Sequence, residues 1–328
     1  MKPILKLYRG YANEQELIVM GHVFNPTKAT DYDFLDKNLK NARSIIKLFQ
    51  LKTWPNATVS LVHNKVKIVT KTLNDGYFKF CIPLSQLEYG WIDYEVSIAY
   101  QNEIITSRAS YIRPKMGKLG IISDVDDTFL VSYTLNPIKK LFHLLSRNVE
   151  SRKIFEDAAT HYRALSTAGR KEADEWNAFF YVSSSEWNLY RFLVKFTELH
   201  QLPKAVLLLK DIKTSLLDFL WTGRGGHSHK FEKIKHILEF YPNLKYVLIG
   251  DDSQHDPKLY GAIAKIFPLT VKAVYIRQTG RSRKKKVTST LENVSSLGVE
   301  VCYFKNSSDA ILHSKKIGLI DNQIDFDI

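Results

Sequence analysis

The sequence contains only two cysteines in 328 residues, Cys81 and Cys302, and they lie far apart in the chain. Two cysteines are too few for a disulfide framework or a cysteine-based metal site, so we expect buried free thiols in a reducing cytosol. No apolar run approaches the length of a membrane-spanning helix, and residues 1–6 lack the apolar core of a secretory signal. We therefore expect neither a membrane span nor a secretory signal, and we predict a cytoplasmic protein.

Acidic residues are fewer than basic ones. The chain has 47 Lys and Arg against 34 Asp and Glu, a formal net charge of +13. The surplus is divided evenly between residues 1–116 and the rest of the chain, so that neither part is a polycation. A charge of this sign favours anionic partners, namely phosphate esters, nucleic acid or an acidic membrane surface, without choosing among them.

Short, β-branched segments with partial alternation fill the first third of the chain. The clearest are 16–24, 57–62, 66–70 and 94–100. Asn74-Asp75-Gly76 precedes another such segment and predicts a tight turn, because glycine accepts a positive φ. We predict that residues 1–114 form a small all-β sandwich of about seven strands, and no residue set in it suggests catalysis.

Two apolar runs in the second part, 119–123 and 246–250, end abruptly in acidic residues. The acids are Asp124 and Asp126 after the first run, and Asp251 and Asp256 after the second. Such runs predict buried parallel strands, whose carboxyl ends gather ligands at one edge of the sheet. One acidic strand end would equally fit a solvated turn, but its repetition favours a site. Carboxylates this close repel each other by about 4 kcal/mol per pair at an effective dielectric near 20, so a cation such as Mg²⁺ or a shared proton is needed.

A third apolar run, 179–182, ends at Ser183 and Ser184. We expect a helix to follow directly, in which case these hydroxyls and the free N–H groups at its start would form a phosphate cradle. Simple capping of the helix by a serine is the alternative, and both can hold together.

Three further segments surround these runs. The glycine-rich loop 221–230 offers Arg224, His227 and Lys230 as contacts for an oxyanion. The apolar stripe of a helical insertion at about 133–170 is predicted to be core, although a cap over the site is the alternative. Residues 277–286 include six basic residues in ten, which is typical of a solvated or mobile segment, yet they follow a strand end where they could attract substrate or membrane.

Four elements occur in a characteristic order: Asp124-x-Asp126-x-Thr128, a strand ending at Ser183, Lys230, and Gly250-Asp251 followed by Asp256. Together they resemble the haloacid dehalogenase superfamily. The runs 122–128, 181–190 and 248–257, with Tyr260, are further similar to the catalytic domain of the actin-patch-protein type of phosphatidate phosphatases, over about residues 113–280. The resemblance implies an α/β fold with a Rossmann-like parallel sheet in residues 115–328.

The resemblance also implies roles for individual residues. Asp124 would be the nucleophile, Asp126 the general acid and base, and Lys230 a further catalytic group. Phosphate would be bound by Thr128, Ser183, Ser184 and Lys230, and Mg²⁺ by Asp124, Asp126, Asp251 and Asp256. An acid two residues after the nucleophile favours a phosphatase over a dehalogenase, which needs no proton donor for its leaving group. Ser184 and Glu186 stand where Asn and Pro are commoner in the family, which leaves the substrate open.

Three functions follow from these features. The first is a Mg²⁺-dependent phosphatidate phosphatase that releases phosphate and diacylglycerol, with peripheral contact to an anionic membrane. The second is a phosphatase for nucleic-acid ends or soluble phosphoesters, which the positive charge permits equally. The third is a non-catalytic anion-binding scaffold.

Overall fold

The computed structural model describes residues 2–27, 51–84, 88–115, 119–124, 149–171, 175–210, 227–252 and 255–321; for residues 27, 149–157, 227 and 228 it describes the backbone alone. The chain divides into two compact units. The first consists of Met1–Arg113 with Glu186–Phe192 and Asp211–Thr222, and the second of Pro114–Ser185, Leu193–Lys210 and Gly223–Ile328.

The first unit is built on one largely antiparallel sheet. Its strands are β1 (Lys2–Leu7), β2 (Gly10–Ala12), β3 (Glu16–Thr27), β4 (Thr58–His63), β5 (Val66–Lys71), β6 (Tyr77–Pro83), β7 (Gly90–Tyr100) and β8 (Glu103–Arg113). They are hydrogen-bonded in the order β1-β3-β2-β8-β7-β4-β5, with β6 also paired to β3. The sequence predicted about seven strands in a sandwich, whereas these eight are linked into one sheet.

Alternation along the strands produces the core of this unit. In β6, Phe78, Phe80 and Ile82 are buried, while Cys81 between them is exposed. The prediction of two buried thiols is therefore wrong for Cys81, because the strand period of two places it on the outer face, and Cys302 is only half-buried. The predicted turn ahead of β6 is confirmed, since Gly76 has a φ of +76° and a side chain there would meet the carbonyl oxygen of Val23.

A segment distant in sequence completes the first unit. Trp187 stacks on Tyr8 with ring centroids 4.1 Å apart, and the Tyr190 hydroxyl accepts a hydrogen bond from the Arg9 N–H at 2.7 Å. The Tyr8 hydroxyl is 2.8 Å from Nδ1 of His22, which is completely buried. The residues that follow Ser183–Ser185 are thus held by aromatic contacts within the β unit.

The second unit contains a six-stranded sheet with helices around it. The strands are β9 (Leu119–Asp124), β10 (Ala178–Glu186), β11 (Val206–Lys210), β12 (Lys245–Asp251), β13 (Val271–Arg277) and β14 (Glu300–Phe304). The helices are α1 (Val149–Thr167), α2 (Tyr190–Leu199), α3 (His227–Phe240), α4 (Asp256–Ile266), α5 (Lys285–Ser295) and α6 (Ser307–Lys316), with a 3₁₀ turn at Trp187–Leu189 before α2.

The strand order in this sheet is β11-β10-β9-β12-β13-β14, and the β10–β9, β9–β12, β12–β13 and β13–β14 pairings are parallel. The chain passes from β9 outward to one side and then returns to place β12 on the other side. The carboxyl ends of β9 and β12 therefore flank the point where the order reverses, which is where open α/β sheets bind ligands. An α/β fold with a parallel sheet is thereby confirmed for the second part of the chain.

Apolar runs fix the position of the two central strands. Ile121 and Ile122 in β9 and 247–249 in β12 are fully buried, as expected for parallel strands covered on both faces. The part of the helical insertion that the structure describes is also core, because α1 buries Ala158, Tyr162 and Leu165. Within the described ranges, no helix combines the length and the apolarity that a membrane crossing requires.

Candidate active site

Three neighbouring strands end side by side at the reversal point. Asp124, the last residue of β9, lies opposite Val182 in β10, one residue before Ser183. The residue before Asp124 lies opposite Ile249 in β12, two residues before Asp251. Because adjacent strands lie about 5 Å apart, this register places the ends of β10, β9 and β12 within one small region.

A lysine from α3 meets the carboxylates. Nζ of Lys230 lies 3.0 Å from Oδ2 of Asp124 and 3.6 Å from Oδ1 of Asp256. The side chains are 4%, 1% and 2% exposed, respectively, so that the ion pairs are shielded from water. The predicted convergence of Asp124, Lys230 and Asp256 is thus found in the structure.

The Asp256 carboxylate binds the backbone at the end of β12. Oδ2 of Asp256, the first residue of α4, accepts a hydrogen bond from the Asp251 N–H at 3.3 Å. A β-carbon at Gly250 would lie only 2.4 Å from the same oxygen. Glycine is therefore required at this position so that the Asp256 carboxylate can approach the end of β12.

The buried charges do not balance. Asp124, Asp251 and Asp256 are three buried carboxyl groups, whereas the buried cations are Lys230, beside Asp124 and Asp256, and Arg277, opposite Asp251 in the sheet. Burial and the neighbouring Asp124 raise the pKa of Asp256 well above its ordinary value, although Lys230 opposes the shift. An additional cation, or a proton on a carboxyl group, is needed to keep such a group of charges buried.

The oxygen donors of this site suit a hard divalent cation. Asp124 and Asp251 offer carboxylate oxygens from adjacent strand ends. No cluster of three or more His, Cys, Asp or Glu in metal-binding geometry occurs among the residues that the structure describes. Mg²⁺ sites usually hold the ion through one or two carboxylates, with water and substrate phosphate completing the shell, so two donors are enough for a fit.

Hydroxyl groups outside the predicted site hold its backbone. Ser123 donates to the carbonyl oxygen of Asp124 at 2.9 Å, and its hydroxyl lies 2.8 Å from that of Tyr162 in α1. Tyr260 donates to the carbonyl oxygen of Ile249 at 2.9 Å. Sequence reasoning assigned Tyr162 only to an apolar stripe, because its spacing carries no signal that its hydroxyl has a polar partner.

The serines lie in extended backbone, which corrects the expected cradle. β10 continues through Ser183 and Ser184 to Glu186, and α2 begins only after the 3₁₀ turn. Ser183 is completely buried, and its Oγ accepts a hydrogen bond from the Ser185 N–H at 2.9 Å. A helix start at the serines is thus wrong, because the extended backbone of β10 continues to Glu186. Ser184 is half-buried at the same strand end.

The second acid after β12 has a structural task. Burial alone would raise the pKa of Asp252, but hydrogen bonds from Thr279 and Tyr303 outweigh burial and hold the pKa below its ordinary value. The Thr279 N–H reaches Oδ1 at 3.0 Å and the Tyr303 hydroxyl reaches Oδ2 at 2.6 Å. Its neighbour Asp251 therefore remains the acid that faces the site region.

Four predicted site residues lie wholly or partly outside the described residues. Asp126, Thr128 and Arg224 lie outside the described residues. His227 is the first residue of α3, but only its backbone belongs to the described part of the chain. The described part of the site consists of Asp124, Ser183, Ser184, Lys230, Asp251 and Asp256.

Comparison with known proteins identifies the segment that carries this site. Residues 119–278 match the family model of the catalytic domain of phosphatidate phosphatase APP1. Phosphatidate phosphatase APP1 of Saccharomyces cerevisiae is 26% identical over 172 residues, which are 52% of this chain and 27% of the yeast protein. Residues 119–278 form an APP1-type catalytic domain.

The segment that matches this family model contains every site residue described above. The chain spans about a quarter of the length of its yeast relative. The predicted resemblance to phosphatidate phosphatases of the actin-patch-protein type is thereby confirmed.

Solved structures give weaker likenesses. A carbohydrate acetylesterase from Xanthomonas citri aligns over 97% of this chain and 75% of its own, with 10% identity and a TM-score of 0.34. A β-glucuronidase from Parabacteroides merdae aligns over 91% and 39%, with 10% identity and a TM-score of 0.27. Scores this low establish neither a shared fold nor a shared function.

Proposed function

We propose that this chain is a phosphomonoesterase that hydrolyses phosphatidate to phosphate and diacylglycerol. One observation carries the proposal: Lys230 is buried 3.0 Å from Asp124 at the reversal point of a parallel sheet, within an APP1-type catalytic domain. A buried carboxylate beside a fixed ammonium matches the need of phosphoryl transfer for a positioned nucleophile and for positive charge near the phosphoryl oxygens.

The first chemical step uses Asp124. One of its carboxylate oxygens attacks phosphorus, and the bond from phosphorus to the diacylglycerol oxygen breaks, which leaves an aspartyl-phosphate. Asp126 donates the proton that the departing alkoxide requires. Lys230, whose ammonium already lies between Asp124 and Asp256, binds phosphoryl oxygens where negative charge accumulates.

The second step returns the enzyme to its starting state. Asp126 removes a proton from water, whose oxygen attacks phosphorus and displaces the Asp124 carboxylate, so that inorganic phosphate leaves. Ser183, buried at the adjacent strand end, and Thr128 support the phosphate in both steps. Asp256 keeps Lys230 oriented through the 3.6 Å contact.

We propose Mg²⁺ as the cofactor, held by Asp124 and Asp251 with the backbone carbonyl of Asp126. When bound, the ion neutralises charge between the nucleophile and the phosphoryl group. The excess of buried carboxylates over ammonium groups in the described site supports this assignment. The strand order and the reversal point also support a Rossmann-like fold of the haloacid dehalogenase type.

Phosphate release, with and without Mg²⁺, tests the proposal on phosphatidate micelles, a 3′-phosphorylated oligonucleotide and an aryl phosphate. We expect Mg²⁺-dependent release from phosphatidate, and a loss of at least about 10³-fold for Asp124→Asn and for Asp126→Asn. Asp93→Asn, an exposed carboxylate on β7, is the matched control and should retain full activity.

Each alternative has its own outcome. Turnover of the oligonucleotide but not of phosphatidate would replace the lipid substrate with nucleic-acid ends. Turnover of the aryl phosphate alone would remove the support for a lipid. Absence of release from all three substrates with Mg²⁺ present, or full activity in both aspartate variants, would refute the phosphatase mechanism.

A further inference from the structure

One long stretch contains no acidic residue. It begins inside the APP1-type domain and continues beyond its end. Residues 257–291 include nine Lys and Arg and no Asp or Glu. The basic residues are Lys258, Lys265, Lys272, Arg277, Arg281, Arg283, Lys284, Lys285 and Lys286. Six of them lie in 277–286, the segment that leaves β13 and enters α5.

Three of these six residues hold the segment in place. Arg277 is buried and donates to the Ser307 hydroxyl at 2.9 Å. Arg283 donates to the carbonyl oxygen of Tyr303 at 2.7 Å and lies over the ring of the same residue. The segment is therefore attached to β14 and to the start of α6, while residues 281–286 are exposed, as expected for a solvated run.

Asp252 provides the third attachment. Nζ of Lys284 lies 3.3 Å from Oδ1 of Asp252 and also contacts the carbonyl oxygen of that residue. Thr279 binds the same carboxylate through its N–H. Since Asp252 directly follows Asp251, these contacts fix the basic segment beside the acidic end of β12.

The other three basic residues point to solvent. Arg281, Lys285 and Lys286 are exposed, and within the described part of the chain their side chains make no hydrogen bond or ion pair. We call these three residues the basic rim. Lys285 and Lys286 occupy the first turn of α5, where positive charge opposes the helix dipole and no acidic residue offsets it. Helix stability therefore does not explain their presence.

The basic rim lies at the same edge of the sheet as the proposed catalytic groups. Arg277 ends β13 directly opposite Asp251 at the end of β12. Because both strands are parallel, the residues that follow each of them emerge on the same side. The rim therefore flanks the edge at which a phosphate monoester would reach Asp124.

We propose that the basic rim docks the enzyme on the surface of an anionic phospholipid bilayer and so presents the sheet edge to lipid substrate. The inference rests on the proposed function, since a lipid monoester resides in such a surface. Exposed Lys and Arg attract anionic headgroups without specific contacts. No aromatic residue occurs in 278–290, so the rim lacks the stacking groups typical of single-stranded nucleic-acid binding surfaces.

The expected effect follows from the number of charges. Each basic residue near an anionic membrane surface strengthens binding about fivefold, and three residues together give about 100-fold. Replacement of all three, as Arg281→Gln, Lys285→Gln and Lys286→Gln, should therefore weaken vesicle binding about 100-fold. Removing positive charge from the first turn of α5 should leave the melting temperature unchanged or raise it slightly.

The test is sedimentation of the full chain with phosphatidylcholine vesicles that either contain or lack phosphatidylserine. The matched control changes the same charge elsewhere in the second unit, as Lys265→Gln, Lys272→Gln and Lys316→Gln. These residues lie in the last turn of α4, near the start of β13 and at the end of α6, toward the opposite edge of the sheet. We expect the control to bind anionic vesicles within a few-fold of the original chain.

Three results would overturn the proposal: equal loss in the two triple variants, binding that does not require phosphatidylserine, or a clear preference of the rim for duplex DNA over anionic vesicles. Because these vesicles contain no phosphatidate, binding can be measured with Asp124→Asn and is independent of turnover. Failure of the phosphatase proposal and failure of docking are therefore separate outcomes. If the phosphatase proposal and the docking proposal both hold, the rim variant should hydrolyse lipid in vesicles more slowly relative to short-chain lipid than the original chain does.

Discussion

Replacement of Lys230 by methionine should destabilise the second unit strongly. Methionine has a similar length and no charge, so the substitution removes the ammonium while filling much of the same space. Lys230 is buried within 3.0 Å of Asp124 and 3.6 Å of Asp256. Its loss leaves buried carboxylates facing one another without a counter-charge.

The magnitude follows from the two distances. At an effective dielectric near 20, each contact corresponds to an attraction of about 5 kcal/mol, part of which offsets the cost of burying the lysine. Removal of one partner from a buried ion pair typically costs about 3–5 kcal/mol of unfolding free energy, and we expect Lys230→Met to fall in that range. With a typical dependence of the unfolding free energy on urea concentration, the urea concentration at the unfolding midpoint should drop by about 1–2 M.

Urea unfolding at neutral pH measures this change, first without divalent cations and then with Mg²⁺. Lys235→Met is the control, because Lys235 is on the same helix and pairs with Glu239 at 3.5 Å near the surface. It should cost no more than about 0.5 kcal/mol. Equal losses in the two variants would refute the buried ion pair. If Mg²⁺ binds the same carboxylates, it should recover part of the loss in Lys230→Met.

Three further predictions concern the packing around the site and the buried histidines. Gly250→Ala brings a methyl group to 2.4 Å from Asp256, so phosphate release should fall at least about tenfold, and retained activity would contradict the tight contact. Tyr260→Phe removes a buried hydrogen bond to β12 and should cost about 1–2 kcal/mol in urea unfolding. Burial lowers the pKa of His22 and of His161 to about 3. Each stays neutral in the folded chain but takes up a proton below about pH 6.5 when unfolded, so stability is lost as the pH falls from 6.5 towards 3. The loss should be about 1 kcal/mol per histidine between pH 7 and 5.5, and an equally steep profile after replacement of both would contradict this account.

Much of the site follows from the sequence because parallel strands share one edge. Apolar runs that end in acids predict both the strands and the position of their carboxylates, and Asp124, Asp251 and Asp256 lie where this reasoning placed them. The prediction that Lys230 belongs to the site required the family resemblance, because nothing in the local sequence indicates that a lysine at a helix start is buried. The resemblance supplied long-range information that periodicity lacks.

The features that the sequence did not reveal depend on tertiary contacts. The sequence predicts a helix start at Ser183 and Ser184, but both belong to β10, which pairs with β9 over Ala178–Val182 and stays extended to Glu186. From its position in the sequence, Trp187 is predicted to belong to the catalytic domain. In the structure it stacks on Tyr8, and its segment belongs to the first unit. Both outcomes are decided by partners many residues away, which local propensity does not report.

Asp251 and Asp252 show how one strand end serves two purposes. They are identical in type and adjacent, so composition alone cannot separate their roles. Successive side chains at a strand end point to opposite sides, which directs Asp251 toward the site region and Asp252 toward Thr279, Lys284 and Tyr303. Because Asp252 binds the basic segment while its neighbour lies beside Asp256, the end of β12 links the proposed chemistry to the proposed docking surface. A change at Asp252 would therefore disturb the proposed chemistry and the proposed docking surface together. If Asp252 served the docking surface alone, the chemistry would not be expected to change.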